Sequence, residues 1–166
     1  MIIYHGSDTL IKQPQILDSN RYLDFGIGFY TTRNKEQAER WARKVCLRND
    51  SLNPIISVYT CNFLELRKDL QVIEFAHADE AWLDFIVANR SGKIISGKYD
   101  VVDGPVADDN VYLTIKLFEN GVFDKEETLK RLKVEKLYNQ ISFHTEISLK
   151  YCSFSHIKEL QRKADG

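Results

Sequence analysis

Apolar residues in this chain fall in short runs, and the runs switch between two periods. Met1-Ile2-Ile3-Tyr4 opens as a compact apolar stretch that passes directly into His5-Gly6-Ser7. Its length and branched side chains predict a strand. A second short strand is predicted at Phe29-Tyr30-Thr31-Thr32, introduced by two glycines one residue apart, Gly26 and Gly28. The period then changes at once. Ala38, Trp41, Ala42 and Val45 recur at helical spacing, the stretch from Lys35 to Arg43 keeps a charged face, and Thr32 or Asn34 is available as the cap.

After a polar break from Asn49 to Asn53, the residues from Pro54 to Cys61 predict a strand with proline at its permitted first position. Leu70 to Phe75 predicts another, and the segment between them fits a turn or a short helix. From Ala78 to Arg90 the helical period returns: Ala78, Ala81, Trp82, Phe85, Ile86 and Asn89 share a face, and Asp79 and Glu80 lie near its start. Ser91 to Lys98 reads as a flexible loop and Tyr99 to Asp103 as a strand. Gly104-Pro105 then forms a turn, and Asp108 or Asp109 caps a helix from Asn110 to Glu119 that Gly121 ends. Asp124 to Val134 predicts a helix with Glu126–Lys130 and Glu127–Arg131 pairs. A late strand from Tyr138 to Thr145, a helical turn from Glu146 to Lys150 and a last strand from Cys152 to Leu160 precede a polar tail. Without repeats or a composition break, residues 1–166 read as one α+β domain.

Composition narrows the function classes. A net charge of −1 gives no global basic field to hold nucleic acid. Cys46, Cys61 and Cys152 are odd in number and lack a Cys-x-x-Cys, which argues against a disulfide framework or zinc site and suits a reducing compartment. No leader pattern precedes the first strand and no apolar run reaches membrane-spanning length, so the cytoplasm is the expected location.

The chemistry lies in three parts and their order. A strand ends in His5-Gly6-Ser7, and a polar loop leads to Phe25-Gly26-Ile27-Gly28-Phe29-Tyr30 and a helix. Far downstream comes Asn139-Gln140-Ile141-Ser142-Phe143. Singly, each has a plain structural reading: His5 as a strand-end histidine, Tyr30 as core, the glycines as a tight turn. Trp41 and Trp82 likewise read most simply as core residues. Together the parts resemble the ADP-ribosyltransferases of the histidine-tyrosine-glutamate type, the poly-ADP-ribose polymerase and diphtheria-toxin branch. They also resemble a related bacterial family of unknown function often encoded beside a small antitoxin-like protein. The resemblance covers essentially the whole chain, and the run from Tyr99 to Asp109 matches a signature of that bacterial family.

The resemblance implies an ADP-ribosyltransferase-like α+β fold with two small facing antiparallel sheets and surrounding helices. It implies NAD as co-substrate in the cleft between them, beneath the loop from Asp8 to Tyr22, and no metal. The implied triad is His5, Tyr30 and Gln140, with Gln140 where the family carries glutamate. The implied NAD contacts are His5, Gly6, Ser7, Gly28, Tyr30, Ala38 and Trp41. These residue types suit the chemistry. Breaking the nicotinamide–ribose bond leaves positive charge on the ribose. Tyr30 offers a flat face to nicotinamide, with Trp41 or Ala38 lining the other side. Gly6 offers backbone N–H and C=O to the carboxamide, while His5, Ser7 and residue 140 suit ribose hydroxyls.

Glutamine at 140 keeps a hydrogen bond but not the charge that would stabilise the cation. Polymer formation is therefore not expected; mono-ADP-ribosyl transfer or NAD hydrolysis is, at a lower rate unless Asp100, Asp108 or another acid compensates. The expected role is the toxin of a bacterial toxin–antitoxin or defence system, with a small antitoxin partner and an acceptor that is protein, nucleic acid or small molecule. Alternatives are an NAD glycohydrolase of the same fold and a catalytically inactive binding module. A further alternative is a related transferase that removes 2′-phosphate from RNA, for which Arg90 and Lys98 are the available cations. His144, on the same strand side as Gln140, is expected either at the site or in the core.

Overall fold

The computed structural model describes residues 1–17, 23–92, 99–106, 109–133 and 137–160. Lys98, Asp108, the Asp18–Tyr22 part of the long loop and the polar tail lie outside them. In chain order the elements are β1 (Ile2–Ser7), β2 (Phe29–Thr31), α1 (Lys35–Asn49), β3 (Ile55–Cys61), α2 (Phe63–Asp69), β4 (Val72–Glu74), α3 (Glu80–Arg90), β5 (Val101–Val106), α4 (Asp109–Glu119), α5 (Lys125–Leu132), β6 (Tyr138–Phe143), α6 (Glu146–Leu149) and β7 (Cys152–Glu159). They form an α+β structure with two small sheets, ordered β1-β3-β7 and β2-β6-β5-β4.

Strand alternation explains the layering. In β1 and β3, Ile3, Tyr59 and Cys61 point one way and meet Phe29, Val101, Ile141 and Phe143 of the other sheet, so one apolar cluster is shared between the sheets. The opposite face of β3 presents Ile56 and Val58 to Ala38 of α1. The outer face of the larger sheet packs Val102 and Val106 against Trp82, Leu83 and Ile86 of α3, Val111 and Ile115 of α4 and Leu132 of α5. The resulting order is α1, small sheet, large sheet, then α3 to α5. No helix among the described residues is long and apolar enough to cross a membrane.

Several expectations change. The larger sheet is mixed, because β4 pairs with β5 in parallel, whereas β2–β6 and β5–β6 are antiparallel. The cause is α3, which carries the chain across between β4 and β5 as a crossover, the connection that parallel neighbours need. Gly104 and Pro105 lie inside β5, not in a turn, opposite Gln140 and Asn139 of β6. Proline is tolerated there because β4 has already ended, at Glu74 opposite Asp103. The Pro105 carbonyl accepts from Trp82 Nε1 at 2.7 Å, away from β6, so the missing N–H also faces away from the β6 ladder. Asp79 caps α3, delaying its start to Glu80, and Thr145 caps α6, ending β6 at Phe143. Asn34, not Thr32, caps α1 by accepting from Gln37 N–H at 3.1 Å. Thr32 Oγ1 instead bonds to the Asn139 carbonyl at 3.0 Å, tying the end of β2 to β6.

Two features of β1 fix how the layers meet. Tyr4 and Thr32 exchange backbone hydrogen bonds of 2.8 and 2.9 Å, joining the sheets at a single bridge. Two residues later Gly6 lies against α1 so closely that a Cβ would stand 2.1 Å from the Ala38 carbonyl oxygen and 2.9 Å from Ala42 N. Only glycine allows that approach. Gly6→Ala must push α1 off the sheet, and we expect a loss of at least about 2 kcal/mol, read as a lower urea midpoint with little change in slope.

Candidate functional site

Beyond the Tyr4–Thr32 bridge the sheets part, and a cavity of about 750 Å³ opens at the split. That size is ordinary for a small-molecule site. His5, Gly6, Gly28 and Tyr30 line it, and so do Ala38, Trp41 and Gln140. Seven of the eight sequence-derived site residues thus meet in one place. Ser7 does not line it. Its Oγ accepts from Thr9 N–H at 3.2 Å and so closes the first turn of the following loop.

Each lining group has a specific cause. Residues whose backbone groups point the same way alternate along a strand. Tyr4 turns its N–H and C=O to Thr32, so Gly6 turns its own to the same side, where β2 has already diverged. A donor and an acceptor are thereby offered to the cavity. His5 Nδ1 lies 2.7 Å from the Tyr30 carbonyl, which can only accept, so Nδ1 carries the proton. Burial holds the His5 imidazole below its ordinary pKa, and the bond to Tyr30 only partly opposes this. The ring is neutral, stacked on Phe29 at 4.5 Å, and its Nε2 is left as an acceptor with no bond among the described residues.

Tyr30 Oη donates to the Gly26 carbonyl at 2.7 Å and accepts from Phe25 N–H at 3.1 Å. Those two bonds pin the ring on the turn before β2, and burial, then the nearby Asp24 charge, raises the phenol well above its ordinary pKa. Tyr30 is therefore a fixed neutral ring. Gln140 lies opposite Gly104 in the sheet, and its amide makes no hydrogen bond among the described residues.

Trp41 is 46% exposed, against the core placement its spacing suggested. At 100° per residue it stands roughly 60° from Ala38, on the opposite side from Ala42. The buried arc of α1 holds Ala38, Ala42, Val45 and Cys46, small residues suited to a helix pressed against Gly6. A large ring at the rim of that arc is turned to the cavity mouth. Trp82 is fully buried, as expected.

His144 lies outside the site. Its Nδ1 donates to the Ile27 carbonyl at 2.7 Å and its Nε2 accepts from Ser142 Oγ at 2.8 Å, fixing the turn before β2 to the end of β6. Gly28 serves the same junction, since a Cβ there would stand 2.8 Å from His144 Nδ1. Asp100, a candidate compensating acid, is also elsewhere: its carboxylate accepts from Thr145 Oγ1 and Gln71 N–H. The one carboxylate among the described lining residues is Asp24, bound to Arg90 at 2.6 and 2.8 Å.

The loop after β1, which the resemblance lays over the cleft, supplies lining residues that motif reading did not single out. Leu10, Ile11, Lys12, Gln13, Gln15 and Leu17 border the cavity, with Tyr112 of α4 beyond them. Ile11 anchors the loop: its N–H donates to Ser57 Oγ and its carbonyl accepts from Tyr59 Oη. Alternating Leu10-Ile11 and Ile16-Leu17 pairs were the available signal. Among the described residues no group of three or more His, Cys, Asp or Glu is placed to hold a metal ion.

The structure is thus an α+β protein with two small sheets and a ligand-sized cleft at their split. A sequence model described as "Protein of unknown function (DUF3990)" matches residues 1–154, and the chain belongs to that family. No curated protein and no solved structure matches it.

His144 carries a pH prediction. Burial lowers its pKa from 6.5 to about 4. Below pH 6.5 the unfolded chain binds this proton and the folded one does not, so stability falls as pH drops towards about 4, then levels off. The slope is at most about 1.4 kcal/mol per pH unit, and His5 adds in the same direction. His144→Asn should lower stability at neutral pH and remove one proton's share of that slope. Urea titrations from pH 7 to 4 measure both effects.

Proposed function

We propose that the cleft binds NAD and that the protein is a mono-ADP-ribosyltransferase with an ADP-ribosyltransferase-like fold, His5, Tyr30 and Gln140 forming its triad. The observation that carries this reading is the convergence in one cavity of the free backbone edge of Gly6, the pinned Tyr30 ring, and two hydrogen-bonding groups without partners among the described residues, His5 Nε2 and the Gln140 amide. These are complementary to a nicotinamide riboside. The carboxamide pairs with Gly6 N–H and C=O, the pyridinium lies on Tyr30 with Trp41 opposite, and the ribose hydroxyls reach His5 Nε2 and Gln140.

In the reaction the C1′–N bond breaks and its electron pair leaves with nicotinamide, which becomes neutral. The acceptor's nucleophile bonds to C1′ and releases its proton to solvent or a base. A neutral His5 leaves no imidazolium beside the developing oxocarbenium, which favours the transition state. Gln140 orients a hydroxyl without adding charge. That supports single transfers, and it equally supports slow hydrolysis by water, the glycohydrolase reading. The expected setting is a toxin held in check by a small protein partner.

Nicotinamide release on mixing with NAD tests the reading. No NAD or nicotinamide binding at millimolar concentration would sink it, and binding without release would mark an inactive binding module. Gln140→Ala should slow release about tenfold to a hundredfold, equivalent to roughly 1–3 kcal/mol, and barely alter nicotinamide affinity. Gln140→Glu should raise the rate by placing a carboxylate at the cation. An alanine variant that melts normally and turns over at the wild-type rate would remove Gln140 from the site.

A further inference from the structure

Arg90 closes α3 and stands in the cavity wall with its side chain only 8% exposed. Its Nε and Nη2 both donate to Asp24 Oδ1, at 2.8 and 2.6 Å, and the Tyr112 ring covers the guanidinium at 4.6 Å. Nη1 is sealed from solvent and has no hydrogen-bond partner among the described residues. A buried N–H without a partner is costly, the more so on a charged group. A guanidinium has five donors arranged as two usable forks. Asp24 occupies the side fork, formed by Nε and Nη2, which leaves the end fork, formed by Nη1 and the second Nη2 hydrogen. Parallel N–H groups at that spacing match two oxygens of one phosphoryl group. Lys12, on the loop after β1, lines the same cavity. With His5 neutral, the charged groups among the described lining residues are Lys12, Arg90 and Asp24, so the balance favours an anion.

The geometry points to a phosphate subsite at the end fork of Arg90, taking the pyrophosphate of the dinucleotide, with Tyr112 as a cover that moves aside and Asp24 as the residue that fixes the guanidinium plane. The choice of pyrophosphate rests on the NAD reading. The phosphate chemistry does not. Alanine at 90 would strand Asp24, so the informative change is Arg90→Lys, which keeps an ion pair with Asp24 and loses the fork.

Calorimetry on the full chain, with thermal melting as a folding control, compares ADP, nicotinamide and a 5′-phosphorylated RNA oligonucleotide. The expected result is that wild type binds ADP, that Arg90→Lys weakens ADP about tenfold or more, and that nicotinamide affinity is unchanged. Failure of wild type to bind ADP, or equal ADP affinity in the variant, overturns the subsite. Arg90-dependent binding of the RNA end without ADP binding also overturns the dinucleotide assignment. If nicotinamide fails to bind while ADP binds through Arg90, the NAD reading falls and the phosphate subsite stands. Should the variant not fold, a crystal structure of wild type with ADP decides: a phosphoryl oxygen within hydrogen-bond reach of Nη1 supports the subsite, and ADP placed elsewhere overturns it.

Discussion

Two backbone hydrogen bonds between Tyr4 and Thr32 hold the small sheet to the large one, and the pairing stops there. Had it continued, the backbone groups of Gly6 would be taken up by β2 and no cleft would exist. The same pairing sets β1 beside β2, where His5 Nδ1 meets the Tyr30 carbonyl at 2.7 Å. The bridge is supported from both sides. The shared apolar cluster lies between the sheets, and α1 is clamped on the far face by the absence of a side chain at Gly6. The cleft is therefore a by-product of terminating a ladder at a defined residue.

The chemistry within the cleft follows from neutrality. His5 and Tyr30 are both shifted away from their charged forms by burial, and each commits one polar group to the scaffold. Orientation is thus set by protein–protein bonds, and a ligand meets groups that need no reorganisation. The charged groups among the described lining residues are Lys12 and the Asp24–Arg90 pair, and the Asp24 charge is near enough to Tyr30 to help raise its phenol.

The turn before β2 is over-determined for the same reason. Tyr30 Oη holds Phe25 and Gly26, His144 holds Ile27, and Gly28 lets the turn lie against Phe143 and His144. Three hydrogen bonds and one close approach on four consecutive residues hold the Tyr30 ring in place. His144, which alternation alone put on the same face as Gln140, acts by positioning that turn and is not among the residues lining the cavity.

Local pattern was enough for most elements. Strand and helix periods, the Asn34 cap of α1 and the helical start after Phe29-Tyr30 are short-range properties, set by sterics and side-chain spacing. The grouping of His5, Gly6, Tyr30, Ala38, Trp41 and Gln140 was legible through the order of three motifs, since each marks the end or start of a strand. The remaining features depended on which neighbour each element found. The direction of β4 required knowing that α3 crosses between it and β5, and Gly104-Pro105 became strand only because β4 stops short of Pro105. Trp41 left the core because α1 presses its alanines against Gly6 and rolls the larger ring to the rim. The Asp24–Arg90 pair joins residues 66 positions apart, and neither has a local signal for the other. Contacts of that range are decided by packing, which periodicity does not encode.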